Sequence, residues 1–380
     1  MRVSVHSIAT AVPATVLPQR EVKQIFADQP NVTPLARRLV TAVFDASAIE
    51  TRHSVIDELR TGSSGPDRCG EPTFYNSTSG NILEPTTGVR NQVYADRSPE
   101  LFLNAARRAL TAAAGFTAPD ITHVVTVSCT GFFAPGPDYL VVRGLGLDPA
   151  TQRYHLGFMG CYGAFPALRA ARAFCQADPT AVVLVVCAEL CTIHLRSASD
   201  PDTIVASSVF ADGAAAAVVS ARPAAPGATV LELDAFETVL TPSGEADMAW
   251  TIGDAGFEMT LSSYVPRIIA QHIEGALRPL LAADPQVASG PYADITRWAI
   301  HPGGRSILDK VQSQLGLTDT QLEPSREVLR RYGNMSSATV LFVLERILAG
   351  GGESAERICA MAFGPGLTVE TALLTRRGGA

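Results

Sequence analysis

The 380-residue sequence has few charged side chains, no run of one charge and no long apolar segment. Asp, Glu, Lys and Arg make up 18% of it, and the net charge is −7. A nucleic-acid-binding surface would need clustered Lys and Arg, so we expect no nucleic-acid partner. No segment approaches the roughly 18 uninterrupted apolar residues of a membrane-spanning helix, and the N-terminus lacks the apolar region of a signal peptide. The sequence therefore predicts a cytoplasmic protein without a membrane partner.

The seven cysteines lack the spacings that bind metals or build a disulfide framework. They include no CxxC pair and no Cys/His combination with zinc-ligand spacing. Most of them lie inside apolar runs, where a thiol behaves as a small hydrophobic side chain. The sequence therefore predicts a reduced protein without a metal site, in which most cysteines only fill the core.

Apolar residues are abundant, at 47%, and they form alternating strand-like and helix-like segments. The strand-like runs are apolar at successive positions, which is typical of strands covered on both faces by helices. This pattern predicts an α/β fold of layered, largely parallel sheets. The expected strands lie at 122–131, 181–190, 213–221, 296–304 and 357–376, and the expected helices at 98–115, 161–177, 261–281, 304–315 and 336–349.

Two irregular segments interrupt this alternation. Residues 60–95 are rich in Gly, Ser, Thr, Asn and Pro, which is typical of a long surface segment or lid. Residues 222–229, "RPAAPGAT", predict a connection between two parts of the chain. We therefore expect two similar halves, residues 1–225 and 226–380.

The strongest chemical signal is Cys161, within "HLGFMGCYGAFPALRAARAFC" at 155–175. It lies at a predicted strand-to-helix turn, where the positive end of the helix dipole lowers a thiol pKa and favours the nucleophilic thiolate. Gly160 and Gly163 leave room for a substrate to approach the sulfur. The local sequence alone fits a structural cysteine better, because Gly-Cys-x-Gly is a weak pattern.

Two other segments supply side chains that would complete such a site. In "WAIHPGGRSILD", His301 ends an apolar strand, where it could pair with a thiolate and donate a hydrogen bond to an oxygen. In "RYGNMSSATVLFVLERIL", Asn334 lies in a Gly-Asn turn before a helix. Taken singly, a histidine that caps a loop and an asparagine that caps a helix explain these residues as well or better.

Together, Cys, His and Asn form a complete acyl-transfer site. The thiolate takes up an acyl group as a thioester, and a carboxylated extender loses carbon dioxide to leave an enolate. The His and Asn donors stabilise the negative oxygen of that enolate, as an oxyanion hole does. The enolate carbon then attacks the thioester, and the chain grows by one extender unit.

The chain resembles the type III polyketide synthases, the chalcone synthase-like family with the thiolase fold, over most of its length. Besides the three segments above, "SVFADGAAAAVV" and "AFGPGLTVETALL" match family signatures in the family's order. The resemblance implies a five-layered αβαβα fold, a homodimer, and Cys161, His301 and Asn334 as the catalytic residues. It implies malonyl-CoA and an acyl-CoA, or an acyl carrier protein, as substrate carriers, with no resident cofactor.

The resemblance also implies which residues line the substrate cavity. Phe210 matches the family's gate between tunnel and cavity, and residues 129–139 match a loop that crosses the dimer interface. His194 and Met259 depart from the plant members, which points to a bacterial-type enzyme with an aliphatic starter and an alkylpyrone- or alkylresorcinol-like product. The other expected cavity residues are Cys191, Phe132, Phe133, Ala134, Gly364, Pro365 and Gly366.

Coenzyme A binding is expected at Arg52, Arg305, Gly303 and Gly304, although Glu50 replaces a common basic position. Two alternatives stay open. A chain-initiating β-ketoacyl-carrier-protein synthase shares the fold and the Cys-His-Asn chemistry, but "HPGG" and "AFGPGLTVE" favour the polyketide family. A non-catalytic thiolase-fold subunit would not need all three of the site residues.

Overall fold

A computed structural model describes residues 1–60, 71–284, 287, 290, 292–351 and 355–378. The strands are β1 (Ser4–Ala11), β2 (Thr15–Pro18), β3 (Thr51–Ser54), β4 (Tyr75–Asn76), β5 (Asn81–Ile82), β6 (His123–Ser128), β7 (Gln152–Gly157), β8 (Val182–Leu190), β9 (Asp212–Ser220), β10 (Val230–Leu240), β11 (Met248–Gly253), β12 (Gly256–Leu261), β13 (Arg297–Ile300), β14 (Ala355–Gly364) and β15 (Thr368–Arg377). The helices are α1 (Gln19–Ala27), α2 (Pro34–Ala46), α3 (Thr87–Ala112), α4 (Pro137–Leu145), α5 (Ala164–Ala177), α6 (Pro201–Val209), α7 (Val265–Ala282), α8 (Arg305–Leu315), α9 (Asp319–Tyr332) and α10 (Thr339–Ala349).

Nine strands form one mixed sheet in the order β13-β14-β15-β10-β1-β9-β8-β6-β7. Among the described strand pairs, only β13–β14, β6–β7 and β6–β8 are parallel, so the prediction of largely parallel sheets is wrong. Every residue of β8 and of β9 is buried. A continuous run of apolar residues indicates that a strand is buried on both faces, but it does not indicate the direction of the neighbouring strand.

The sheet is built from two parts that meet at β1. This strand pairs with β9 along most of its length but with β10 only at Ser4 and Val5. Alternate residues of the buried strands face different helical layers: Val183 of β8 and Ile358 of β14 pack with α5 and α10 in the middle. Leu184 packs with α3 on one outer side, and Cys359 packs with α7 and α8 on the other. The layers are therefore helix, sheet, helix, sheet, helix, as predicted.

Most predicted elements are found with shifted ends, but the single strand expected at 357–376 is instead the antiparallel pair β14 and β15, joined by a turn at Pro365–Leu367. Helix α3 begins at Thr87 rather than near residue 98, because the Thr86 hydroxyl caps it and Pro99 is accommodated inside it. Residues 222–229 connect β9 to β10, as expected. Within the predicted surface segment 60–95, residues 61–70, including Cys69, lie outside the described residues, and the remainder carries β4, β5 and the start of α3. None of the helices described is both long and apolar enough to cross a membrane.

Candidate active site

The structure brings Cys161, His301 and Asn334 together on the wall of one inner cavity. Cys161 lies in a single 3₁₀ turn between β7 and α5, His301 directly follows β13, and Asn334 lies between α9 and α10. All three are buried. Three separate ends of regular elements therefore converge on one point.

The chain turns into the site where glycine permits it. Gly160 has a positive φ of 72°, and a Cβ there would lie 2.6 Å from Cδ of Pro365. Any other residue would thus push away Pro365, which lines the same cavity as Cys161. The backbone N–H of His301 donates to the carbonyl of Met361 at 2.7 Å, which extends the β13–β14 pairing by one residue.

The orientation of the Asn334 amide follows from its neighbours. Its Oδ1 accepts the backbone N–H of Ser336 at 2.9 Å, so this atom must be the oxygen. The Nδ2 group then lies 4.0 Å from Cys161 Sγ and 3.4 Å from the carbonyl of Gly303. Asn334 therefore presents a hydrogen-bond donor to the sulfur side of the cavity.

Burial disfavours charge on both Cys161 and His301. It raises the pKa of the Cys161 thiol to about 11, although hydrogen bonds from Ser336 and Asn334 oppose the shift. It lowers the pKa of His301 to about 3, and neither ring nitrogen has a hydrogen-bond partner among the described residues. The predicted lowering of the thiol pKa is therefore not found: burial raises this pKa, and α5 begins only at Ala164, beyond Cys161.

The inner cavity is narrow and almost entirely apolar. Its free space is about 30 Å³, which corresponds to about one or two water molecules. The predicted residues Phe210, Met259 and Pro365 line it. Gly364 does not, because it packs on the Tyr162 ring, where a Cβ would lie 2.3 Å from Cδ1.

Trp250 is a wall residue that was not predicted from the sequence. Its Nε1 donates to the carbonyl of Cys129 at 2.9 Å, and it lines both the inner cavity and a neighbouring one. The sequence indicates Trp250 only indirectly, because this residue pairs with the predicted cavity residue Met259 across the β11–β12 hairpin.

The neighbouring cavity contains the predicted residues Cys191 and His194. His194 Nε2 donates to the carbonyl of Thr130 at 2.7 Å, and its Nδ1 accepts the N–H of Phe257 at 3.1 Å. Burial lowers the pKa of His194 to about 3. These contacts hold the neutral His194 ring in place as part of the wall of the neighbouring cavity. Neither Cys191 nor His194 lines the inner cavity.

The predicted interface loop lies on the surface of the single chain. Phe132 is 39% exposed and packs near the rings of Phe158 and Phe257, whereas Phe133 packs near Tyr94. Ala134 is exposed, and the Ala134-Pro135 peptide is cis. None of the three predicted loop residues lines the inner cavity of its own chain.

A larger outer cavity of about 550 Å³ shares the wall residues Leu261, Gly303 and Ile307 with the inner one. The predicted residues Gly303, Gly304 and Arg305 line it. Its cationic rim consists of Arg267, Arg305 and Lys310, all of them exposed. Arg305 also pairs with Asp309 at 3.3 Å. Arg267 and Lys310 were not predicted from the sequence, because isolated surface cations form no recognisable sequence pattern.

Arg52 does not belong to this rim. It is only 1% exposed, and its Nη1 donates to the carbonyls of Ser207 and Phe210. The prediction that Arg52 binds coenzyme A phosphates is therefore wrong, because its guanidinium group is buried and hydrogen-bonded to main-chain carbonyls.

Comparison with known proteins supports the family resemblance over nearly the whole chain. The models of the N-terminal and C-terminal domains of chalcone and stilbene synthases match residues 2–223 and 232–377. The chain is 32% identical over 371 residues to "Probable polyketide synthase 1" of Dictyostelium discoideum, covering 97% of this chain but only 11% of that protein. It is 35% identical over 305 residues to bisdemethoxycurcumin synthase of Oryza sativa subsp. japonica, covering 76% of this chain and 74% of that enzyme.

A solved structure extends the likeness to three dimensions. The crystal structure of the C-terminal type III polyketide synthase domain of Steely1, from Dictyostelium, superposes with a TM-score of 0.88 at 29% identity, covering all of both chains. Type III polyketide synthases are typically homodimers. This chain belongs to the chalcone and stilbene synthase family, the type III polyketide synthases, which are transferases that catalyse decarboxylative condensation.

Proposed function

We propose that this chain loads an acyl starter on Cys161, extends it with malonyl-CoA and cyclises the product. One observation carries this proposal. A thiol, an imidazole and an amide donor share an apolar inner cavity, and this cavity adjoins a larger outer cavity with a cationic rim.

Loading begins from a neutral thiol and a neutral imidazole. The Cys161 proton passes to His301, whose ring nitrogens have no partner among the described residues. The thiolate attacks the thioester carbonyl of the starter, and the coenzyme A thiolate leaves and recovers the proton. Ser336 and Asn334 contribute donors near the sulfur, which favour its anionic form.

Extension uses the same donors for a different anion. Malonyl-CoA loses carbon dioxide, and the electrons of the broken C–C bond form an enolate whose oxygen accepts hydrogen bonds from His301 and Asn334. The described wall of the inner cavity contains no charged side chain. A carboxylate in such surroundings is poorly solvated, so spreading its charge into the enolate is favoured. The enolate carbon then attacks the acyl group on Cys161, and the thiolate leaves.

The outer cavity suits the polar part of the substrate. We assign its cationic rim to the phosphates of coenzyme A, with Gly303 and Gly304 allowing close approach of the pantetheine arm. An acyl carrier protein is a second candidate carrier of the starter.

We infer a homodimer formed at the open edge of the sheet. Strand β7 ends the nine-stranded sheet, and its first four residues, Gln152–His155, are exposed. Phe132 and Tyr139 add exposed apolar surface beside this edge. Such an edge needs a cover, and a second copy would bring Ala134 towards its partner's cavity.

The inner cavity favours an aliphatic starter and an alkylpyrone- or alkylresorcinol-like product. Its free space is small, but Met248 and Met259 line it, and methionine side chains adapt to irregular apolar shapes. A flexible alkyl chain can follow the space they open, whereas a rigid aromatic starter cannot.

The test is incubation with malonyl-CoA and a panel of aliphatic and aromatic acyl-CoAs, with acyl carrier protein thioesters in parallel, read by mass spectrometry. We expect cyclised products that contain an aliphatic starter and at least two extender units. A single condensation on the carrier protein would instead indicate a β-ketoacyl synthase. Exclusive use of aromatic starters would refute the starter assignment, and no condensation with any starter would refute the function.

A further inference from the structure

Arg52 is a buried cation beside the candidate active site. It lies on β3, and its Nη1 donates to the carbonyls of Ser207 at 2.8 Å and Phe210 at 2.7 Å. Its Nε and Nη2 have no hydrogen-bond partner among the residues described. The hydrogen bonds of this guanidinium group therefore go to two main-chain carbonyls.

Both carbonyls lie at the end of α6. The last carbonyls of a helix lack partners within the helix and carry the negative end of its dipole, so a buried guanidinium satisfies them well. The nearby carboxylate of Asp212, which accepts N–H groups from Val55 and Thr192, interacts electrostatically with Arg52. Arg52 thus ties the end of α6 to β3 without a direct salt bridge.

The segment that Arg52 holds is also paired with Asn334. Phe210 and Asn334 form an isolated parallel bridge. The N–H of Asn334 donates to the carbonyl of Val209 at 2.8 Å, and its carbonyl accepts the N–H of Ala211 at 2.8 Å. A displacement of Phe210 would therefore move the backbone of Asn334.

The stem of Arg52 supports the same turn from another side. Gly333 has a φ of 70°, and a Cβ at this position would lie 3.0 Å from Arg52 Cγ and 2.8 Å from the carbonyl oxygen of Val209. The turn that carries Asn334 thus packs directly on the aliphatic part of Arg52.

We propose that Arg52 is a positioning residue, which sets Phe210 and the Asn334 amide relative to Cys161. Its head holds the carbonyl of Phe210, and its stem supports the Gly333–Asn334 turn. The inference rests on the proposed function, because it matters for the reaction only if Asn334 stabilises the enolate. Loss of Arg52 should slow decarboxylation and leave the binding of coenzyme A intact.

The kinetic test uses Arg52→Met, which keeps an apolar stem, and Arg52→Lys, which keeps a charge that can donate to the carbonyls. We expect Arg52→Met to lower kcat on the order of 10- to 100-fold, because small misplacements of reacting groups are this costly. The KM for malonyl-CoA should stay within about twofold, because the interactions that bind the substrate and the transition state equally do not change. Arg52→Lys should recover part of kcat.

Arg376→Met is the matched control. Arg376 is also buried, and its guanidinium donates to the carbonyls of Leu348 and Gly350 at the end of α10. It does not line the inner or the outer cavity. This variant should lower the melting temperature as Arg52→Met does, yet retain kcat.

Amide hydrogen exchange tests the positioning without relying on catalysis. Arg52→Met should speed exchange at the N–H groups of Ala211 and Asn334, and Arg376→Met should not. If the wild type forms no product, the proposed function fails, and this comparison still decides the role of Arg52. Unchanged exchange, a raised KM with normal kcat in either Arg52 variant, or equal kcat losses in Arg52→Met and Arg376→Met would each overturn the inference.

Discussion

The inner and outer cavities share a wall but differ in almost every physical property. The inner cavity has about 30 Å³ of free space and no charged side chain on its described wall. The outer cavity has about 550 Å³ and carries the cationic rim. The difference separates two tasks. The phosphates of coenzyme A can stay in the outer cavity, while the thioester and its acyl group enter the apolar one, where an enolate is most strongly affected by fixed donors.

The largest expected effect concerns the sulfur of the inner cavity. Cys161→Ala should abolish chain growth, because no acyl-enzyme can form. Product analysis and the intact protein mass after exposure to an acyl-CoA measure this.

Cys175→Ala is the control within the same helical region. Cys175 is buried in α5, and its Sγ lies 3.6 Å from the carbonyl of Ala181. This variant should lose some stability but keep full turnover. Equal losses of product in both variants would contradict the assignment of Cys161.

The next effect concerns the donor that faces the sulfur. Asn334→Asp keeps the shape of the side chain but removes Nδ2 and adds a carboxylate to an uncharged cavity. Malonyl-CoA decarboxylation should fall about 10²- to 10³-fold, which is typical for the loss of one oxyanion donor. Acyl loading on Cys161 should also slow, because Asn334 favours the thiolate, but it should fall less than decarboxylation because Ser336 remains as a second donor near the sulfur. Decarboxylation at the wild-type rate would show that Asn334 does not hold the enolate.

The pH dependence of Cys161 tests whether the inner cavity suppresses charge. Burial raises the pKa of this thiol to about 11, so the thiolate fraction should increase with pH throughout the neutral range. Alkylation of the free enzyme by iodoacetamide should accelerate about tenfold per pH unit between about pH 7 and 9, because the thiolate is the nucleophile. A rate that is already constant above pH 6 would indicate a preformed ion pair with His301.

The three residues of the inner cavity could be predicted from the sequence, because each has a local sequence pattern. Cys161, His301 and Asn334 each stand at a glycine- or proline-marked break after or before an apolar element, and such breaks are local in the sequence. Their meeting in one cavity depends on a layered fold that the buried strands β8 and β9 already indicate. Strand direction was not accessible, because residues buried on both faces look alike in parallel and antiparallel pairs.

Properties that arise from tertiary packing were missed or wrongly predicted. Arg52 is an ordinary arginine in the sequence, and the packing of α6, Gly333 and the Phe44 ring against it makes it internal. The role of Trp250 depends on the register of β11 and β12. The pKa of Cys161 depends on burial by segments far along the chain, which no helix-start pattern contains.

The smallest expected effect belongs to the outer cavity, and it sharpens the division of tasks. Arg305→Glu reverses an exposed charge of the cationic rim and should raise the KM for malonyl-CoA roughly two- to fivefold, because exposed charge pairs contribute little in water. The effect should shrink as salt is added, since salt screens exposed charges, and kcat should not change. Arg97→Glu reverses the charge of another exposed arginine, on α3, and should alter neither constant. A fall in kcat for Arg305→Glu with an unchanged KM would mean that charge in the outer cavity reaches the chemistry, and the two cavities could not then be treated as separate.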